Sequence, residues 1–176
     1  MIHAIKTAGL AIGAIVLAAV AMASYSNSTQ AQSLSDEQLE TIVYRCARLR
    51  TTIRRLQTLD SVTRVELGKN YESMLTRLMV PMNSRLVNNH IDAGDMLGVT
   101  ASFSDNLSGF RRAYTSYDQS IRRLLNIDCT RRPADFHYQL QVARDRRNEV
   151  RSYYLRLNGD INDYREELRH VAHQID

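Results

Sequence analysis

Glu167, His170 and His173 fall three residues apart near the end of the chain, the one cluster with the spacing of metal ligands. Glu-x-x-His on a helix supplies ligands in di-iron bundles, but such a centre needs a second copy and further inward carboxylates. No second copy is present, and the apolar positions beside it are Leu168 and Val171. Both histidines are therefore expected to leave the core at a helix end and to hold no metal. His90 and His137 stand alone, without the serine or cysteine arrangement of a nucleophilic triad. Asp92 and Asp95 lack calcium-loop spacing and read as turn and cap residues. No glycine-rich phosphate loop, CxxC pair or paired catalytic carboxylates occur. The chain is expected to be no enzyme and to use no cofactor, because a helical bundle has no concave pocket by default.

The remaining reactive side chains are the two cysteines, Cys46 and Cys129. Thiols stay reduced in the cytosol and pair in oxidising compartments, so the first segment decides how they are read. Residues 1–31 have the layout of a secretory signal: Lys6, then an uncharged apolar run of 16 residues from Ala8 to Ala23, then small polar residues. Thr29-Gln30-Ala31 is the expected recognition triplet, with Ala21-Met22-Ala23 as a second candidate. The run is shorter than the ~20 residues of a spanning helix, so cleavage is expected, an uncleaved anchor being the alternative. Residues 32–176 are then one exported domain outside the cytoplasm, and the cysteines are expected to be paired.

The elements that carry these residues are helices. Only 7 glycines and 2 prolines interrupt 176 residues, and no period-two alternation suggests a strand. Positions 136, 140, 143, 147, 150, 154, 157, 161, 164, 168, 171 and 175 step by four and three, and all but Arg147 are apolar. That is a coiled-coil seam over roughly 60 Å of helix, opened by Pro133 where a missing N–H costs nothing. Arg147 is expected to reach past the seam to solvent, a register-setting role being the alternative. A second seam runs Met96, Thr100, Phe103, Leu107, Phe110, Tyr114, Tyr117, Ile121, Leu124, Asp128. Gly98 and Gly109 are expected to weaken it and let its first turns fray.

The first helix is predicted to start at a capping box of Ser35 and Gln38. Its seam is Leu39, Ile42, Cys46, Leu49, Ile53 and Leu56, blurs through Asp60, Thr63 and Gly68, and resumes as Tyr71, Leu75, Leu78, Met82 and Leu86. Pro81 is expected to kink or divide it. Residues 88–95 form the turn. The midpoint of Cys46 and Cys129 is 87.5, so folding the hairpin there sets the two cysteines face to face at its open end, and an intrachain bridge is expected. The fold class is all-α: an elongated antiparallel three-helix bundle or coiled coil clamped by one disulfide, with helices near 35–89, 95–128 and 133–175. The tyrosines at 71, 114, 117, 154 and 164 read as core rather than as a stacking platform.

After residue 31 the chain holds twenty-one arginines and one lysine against nineteen acids, a net of +3. The disulfide half, 36–64 with 111–151, has sixteen arginines and nine acids, whereas the other half has six basic residues and ten acids. Arg45, Arg48, Arg50, Arg54, Arg55, Arg111, Arg112, Arg122, Arg123, Arg131, Arg132, Arg144, Arg146 and Arg151 are the candidate polyanion-binding residues, since the guanidinium fork suits phosphate and carboxylate. The bland reading is ordinary helix surface with pairs such as Asp118 with Arg122. The general layout is similar to small periplasmic holdase chaperones with helical arms, without their strand-rich segment, and no residue role carries over. The expected function is a structural or protein-interaction module of the cell envelope. The alternative is a binder of anionic polymer, lipid surface or nucleic acid through the arginine-rich end. Its partner would be an envelope protein or an anionic surface, with the N-terminal segment bringing it near the membrane and seams able to join copies of the chain.

Overall fold

A computed structural model describes residues 34–175 of the chain; the leader expected over 1–31 lies outside the described residues. Those residues are helical with short connections and no strand. α1 (Asp36–Ser73) starts at the capping box, where Ser35 Oγ accepts from the Gln38 backbone N–H at 3.3 Å and Gln38 Oε1 accepts from the Ser35 N–H at 3.0 Å. A π-helical segment, Met74–Met79, continues it directly into α2 (Val80–Asn88). α3 (Gly94–Leu125) and α4 (Pro133–Ile175) follow.

Pro81 therefore does not divide the first helix. Proline has no N–H to give and its ring crowds the carbonyl four residues back. The chain answers with i→i+5 bonding just before it, the Val80 N–H reaching the Leu75 carbonyl. The wider turn takes in one extra residue. Met79 rather than Leu78 is thereby buried beneath the helix, and Leu78 faces solvent.

Both connections stop their helices with local hydrogen bonds. At the first, the Ile91 N–H reaches the Leu86 carbonyl and the His90 N–H the Val87 carbonyl, each at 3.0 Å, a Schellman ending with His90 left-handed at φ 58°. Asp92 Oδ1 then accepts from the Gly94 N–H at 3.0 Å. At the second, Asp128 is an exposed turn residue rather than the last seam position. Its carboxylate accepts from the Thr130 hydroxyl at 2.6 Å and from the Thr130 N–H at 3.0 Å, and these bonds lower its pKa below the usual carboxylate value.

Cross-helix contacts fix the directions. α1 and α3 run antiparallel, pairing Arg50 with Ile127, Gln57 with Asp118 and Asp60 with Tyr117. α3 and α4 are also antiparallel, Ser120 meeting Gln139 and Ser102 meeting Asp160. α1 and the segment after it run parallel to α4, with Asp60 on Arg147 and Met79 on Tyr164. Cys46 and Cys129 are joined at the open end of the hairpin with Cα atoms 5.6 Å apart.

α3 is the central helix. Nine of its ten predicted seam residues, Met96 to Leu124, are buried, so the first turns hold. Gly109 is needed there: a Cβ at this position would lie 2.6 Å from Cζ and 2.8 Å from Cδ1 of the Tyr153 ring on α4. The buried side chains form two clusters. One surrounds the disulfide with Ile53, Tyr117, Ile121, Leu124 and Phe136; the other holds Tyr71, Met79, Met96, Phe103, Phe110 and Leu157. In the second, Tyr164 donates to Asn83 Oδ1 at 3.0 Å and Asn83 donates to Thr100 at 2.8 Å, which explains a threonine on the α3 seam.

Reduction, or Cys46→Ser, is expected to lower stability by about 4 kcal/mol through the entropy of the unfolded chain, while circular dichroism stays helical. A covalent dimer on non-reducing gels, or two titratable thiols in the native protein, would refute the pairing. Gly98→Ala, with nothing within 4 Å of its added carbon, is expected to raise Tm through helix propensity worth up to ~1 kcal/mol. Gly109→Ala is expected to lower it despite the same gain, overpacking costing about 1–3 kcal/mol; thermal melts of the two variants decide.

Candidate functional site

Stepping from Cys46 by four and three along α1 reaches Arg50, Ile53, Gln57, Asp60, Arg64, Leu67 and Tyr71. The inward stripe of α1 does not lapse where the apolar pattern blurs; it turns polar. Each polar member meets a partner. Gln57 donates to Asp118 at 3.1 Å. Arg64 lies over the Tyr114 ring, 4.7 Å from its centroid. Asp60 accepts from Tyr117 on α3 at 2.6 Å and from Arg147 on α4 at 2.8 and 2.9 Å.

Arg147 is thus held by a bidentate pair rather than simply reaching to solvent. The guanidinium side chain remains 53% exposed while the carboxylate is 20% exposed, so the acid is the desolvated partner. The hydrogen bond to Asp60 raises the Arg147 pKa further. Burial and the adjacent carboxylate push the Tyr117 phenol well above its ordinary value, so it stays a neutral donor.

This polar layer sits at the junction of the two apolar clusters, and α1 and α4 leave a cleft of about 520 Å³ beside it. The default absence of a pocket does not hold for this bundle. Its floor is Phe110 and Tyr114 of α3, with Tyr154 on the α4 wall, and Arg64, Arg147 and Arg151 stand around it. Tyr154, read as core from its seam position, is instead 40% exposed, because the cleft removes the neighbour it would have packed on. Leu56 is also exposed rather than buried. The Tyr114 hydroxyl is buried without a hydrogen-bond partner, and burial raises its pKa. Sequence reasoning missed Asp60 and Arg64 as site residues. The available signals were their 4/3 phase with Ile53 and Leu67 and the charge of Arg147 on another seam.

The arginines expected to bind polyanions divide into two groups. Arg50 is half-buried and donates to the Ile127 carbonyl at 2.8 Å, bracing the second connection. Arg111 pairs with Glu72, Arg122 with Asp118 at 2.6 Å, Arg131 with Asp128, Arg132 with Asp135 and Arg146 with Glu149 at 3.0 Å. Arg112 donates to Ser108 and Arg144 to Gln141. Arg45, Arg48, Arg54, Arg55, Arg123 and Arg151 are exposed and have no carboxylate partner among the described residues. The first four lie on the outer side of α1, Arg123 is on α3, and Arg151 is at the cleft. At the other end, His170 stands 3.6 Å from Glu167 and 3.8 Å from Glu166, a helix-surface pairing that leaves His173 exposed.

Compared with known protein families, with curated proteins and with solved structures, the chain matches none. No described helix is long and apolar enough to cross a membrane, and the disulfide points to an oxidising, extracytoplasmic setting.

Asp60→Ala is expected to cost about 1–3 kcal/mol, chiefly because the buried Tyr117 hydroxyl loses its acceptor. Replacing the layer as a unit, Asp60→Leu with Arg147→Leu and Tyr117→Phe, is expected to recover most of that stability. Urea unfolding of both variants checks this, and a triple variant less stable than Asp60→Ala would contradict it.

Proposed function

We propose that residues 32–176 form an exported, non-enzymatic coiled-coil domain that serves as a protein-interaction module of the cell envelope. The observation that carries this reading is on α1. Leu56, Leu59, Val62 and Val65 follow one another at i, i+3 spacing and are 39–54% exposed. Residues three apart on a helix are neighbours, so the four make a continuous apolar ridge winding over its outer face. Burying such a ridge against a partner is how an amphipathic helix face docks, and contiguous exposed apolar surface marks interaction sites more often than scattered single residues do. The disulfide supports the compartment, since a pair of cysteines is kept oxidised outside the cytoplasm.

The second reading, adhesion to an anionic polymer or lipid surface, is favoured by Arg45, Arg48, Arg54 and Arg55 lying on the same helix without carboxylate partners among the described residues. Headgroup attraction of up to ~1 kcal/mol per arginine falls away within a Debye length, so this reading carries a salt dependence that the apolar one lacks.

Leu59→Asp with Val62→Asp is expected to leave circular dichroism unchanged and to abolish capture of envelope partners at both low and high salt. Arg48, Arg54, Arg55 and Arg123 changed together to Glu should leave capture intact. Should those four changes instead release the domain from anionic vesicles at low salt, with Arg165 and Arg169 changes doing nothing, the surface-adhesion reading replaces the docking one.

A further inference from the structure

The cleft between α1 and α4 has a composition that the docking ridge does not explain. Its lining holds one carboxylate and three guanidinium groups. Asp60 is saturated by Tyr117 and by both bonds from Arg147, which neutralises that pair. Arg64 on the α1 wall and Arg151 on the α4 wall remain, and neither has a carboxylate partner among the described residues. The cleft therefore carries two positive charges with no internal anion left to balance them.

Beside those charges the lining is apolar. Phe110 and Tyr114 lie buried at its base, with Arg64 over the Tyr114 ring, and the accessible apolar lining is Tyr154 with the half-buried Leu67 and Val150. The Tyr114 hydroxyl is buried without a hydrogen-bond partner, as is that of Tyr71 outside the cleft. A space of about 520 Å³ suits one small organic molecule and is too small for a folded partner's helix. An apolar pocket with a few convergent polar groups is the usual form of a small-molecule site.

We propose that this cleft binds a small organic anion with a flat apolar body, its anionic group between Arg64 and Arg151 and its body against Tyr154, Leu67 and Val150. A guanidinium gives a carboxylate or sulfonate two parallel hydrogen bonds, and the exposed Tyr154 ring favours a planar body through stacking and area burial. An inorganic anion would leave the Tyr154 ring uncovered, and a neutral aromatic would leave the arginines unpaired. Site and ridge use different residues, so this inference does not rest on the docking reading.

Anilinonaphthalene sulfonate, an aromatic sulfonate that fluoresces when desolvated, is the probe. Titration of the oxidised domain is expected to give one saturable site from which naphthoate, but not naphthol or inorganic phosphate, displaces the dye. Arg64→Gln with Arg151→Gln should weaken binding about tenfold or more, the loss of one charge-assisted hydrogen bond or more. Leu59→Asp with Val62→Asp, on the ridge outside the cleft, should leave binding unchanged. The assignment is overturned if the arginine variant binds the dye as the unaltered protein does, if naphthol competes as well as naphthoate, or if the ridge variant abolishes binding. Absence of any saturable site at millimolar dye overturns it as well.

Discussion

Asp60 accepts hydrogen bonds from two other helices at once, a phenol on α3 and a guanidinium on α4. A partly desolvated carboxylate is costly unless its acceptor positions are filled by good donors. The observed alignment of α1 along α3 and α4 fills them. Slipping α1 by a turn toward Ile121 would leave the acid facing an aliphatic side chain, and a slip in either direction would strip Tyr117 of its acceptor. Apolar seams are tolerant of such slips, since leucine packs on leucine in many registers, and a single polar contact of this kind discriminates among them. The Tyr164–Asn83–Thr100 contact at the other end acts in the same way on α2, α3 and α4. Between these two levels and the disulfide, each long helix is pinned to its neighbours at separated heights.

The polar layer also explains why the interior is two clusters instead of one. Apolar side chains pack continuously along α3, but α1 offers Gln57, Asp60 and Arg64 opposite its middle, and α4 offers Arg147. Charged groups there keep contact with water, as the 53% exposure of Arg147 shows, and the α1 and α4 walls cannot close over them. The cleft is a consequence of ionic groups placed on two seams at one level. Tyr154 is exposed for the same reason, whereas Leu56 is exposed because the inward stripe of α1 passes from Ile53 to Gln57 and leaves it on the outer face.

Charge is distributed with a comparable economy of position. Seven of the basic side chains at the disulfide end are neutralised by nearby acids or used as a brace, as Arg50 is on the Ile127 carbonyl. Exposed pairs of that kind contribute little to stability, so their presence matters mainly for which guanidinium groups are left over. Of those without a carboxylate or a brace, Arg45, Arg48, Arg54 and Arg55 lie on the outer side of α1, Arg64 and Arg151 at the cleft, and Arg123 on α3. The net charge of the chain, +4 over 176 residues, says nothing of this arrangement.

Much of the fold is legible in the sequence. The 4/3 spacing from Met96 to Leu124 names the central helix and its buried face, because burial of one stripe is a local consequence of helix geometry. Ser35 with Gln38, the turn near residue 88 and the start at Pro133 follow from backbone groups that need local partners. The cysteine pairing follows from those elements, since a hairpin of known midpoint leaves little choice of what faces Cys46. Other features required the three helices together. Pro81 becomes a π turn instead of a break because the packed rod on either side holds its ends in line. Gly109 is a seat for Tyr153 rather than a weak point, and that depends on which α4 residue arrives there. Asp60, Arg64 and Arg151 belong to one site only because α1 and α4 run parallel at a fixed offset. Apolar periodicity is a property of one helix and is written along the chain; the partner of a polar residue is set by what stands opposite it, and only the tertiary structure decides that.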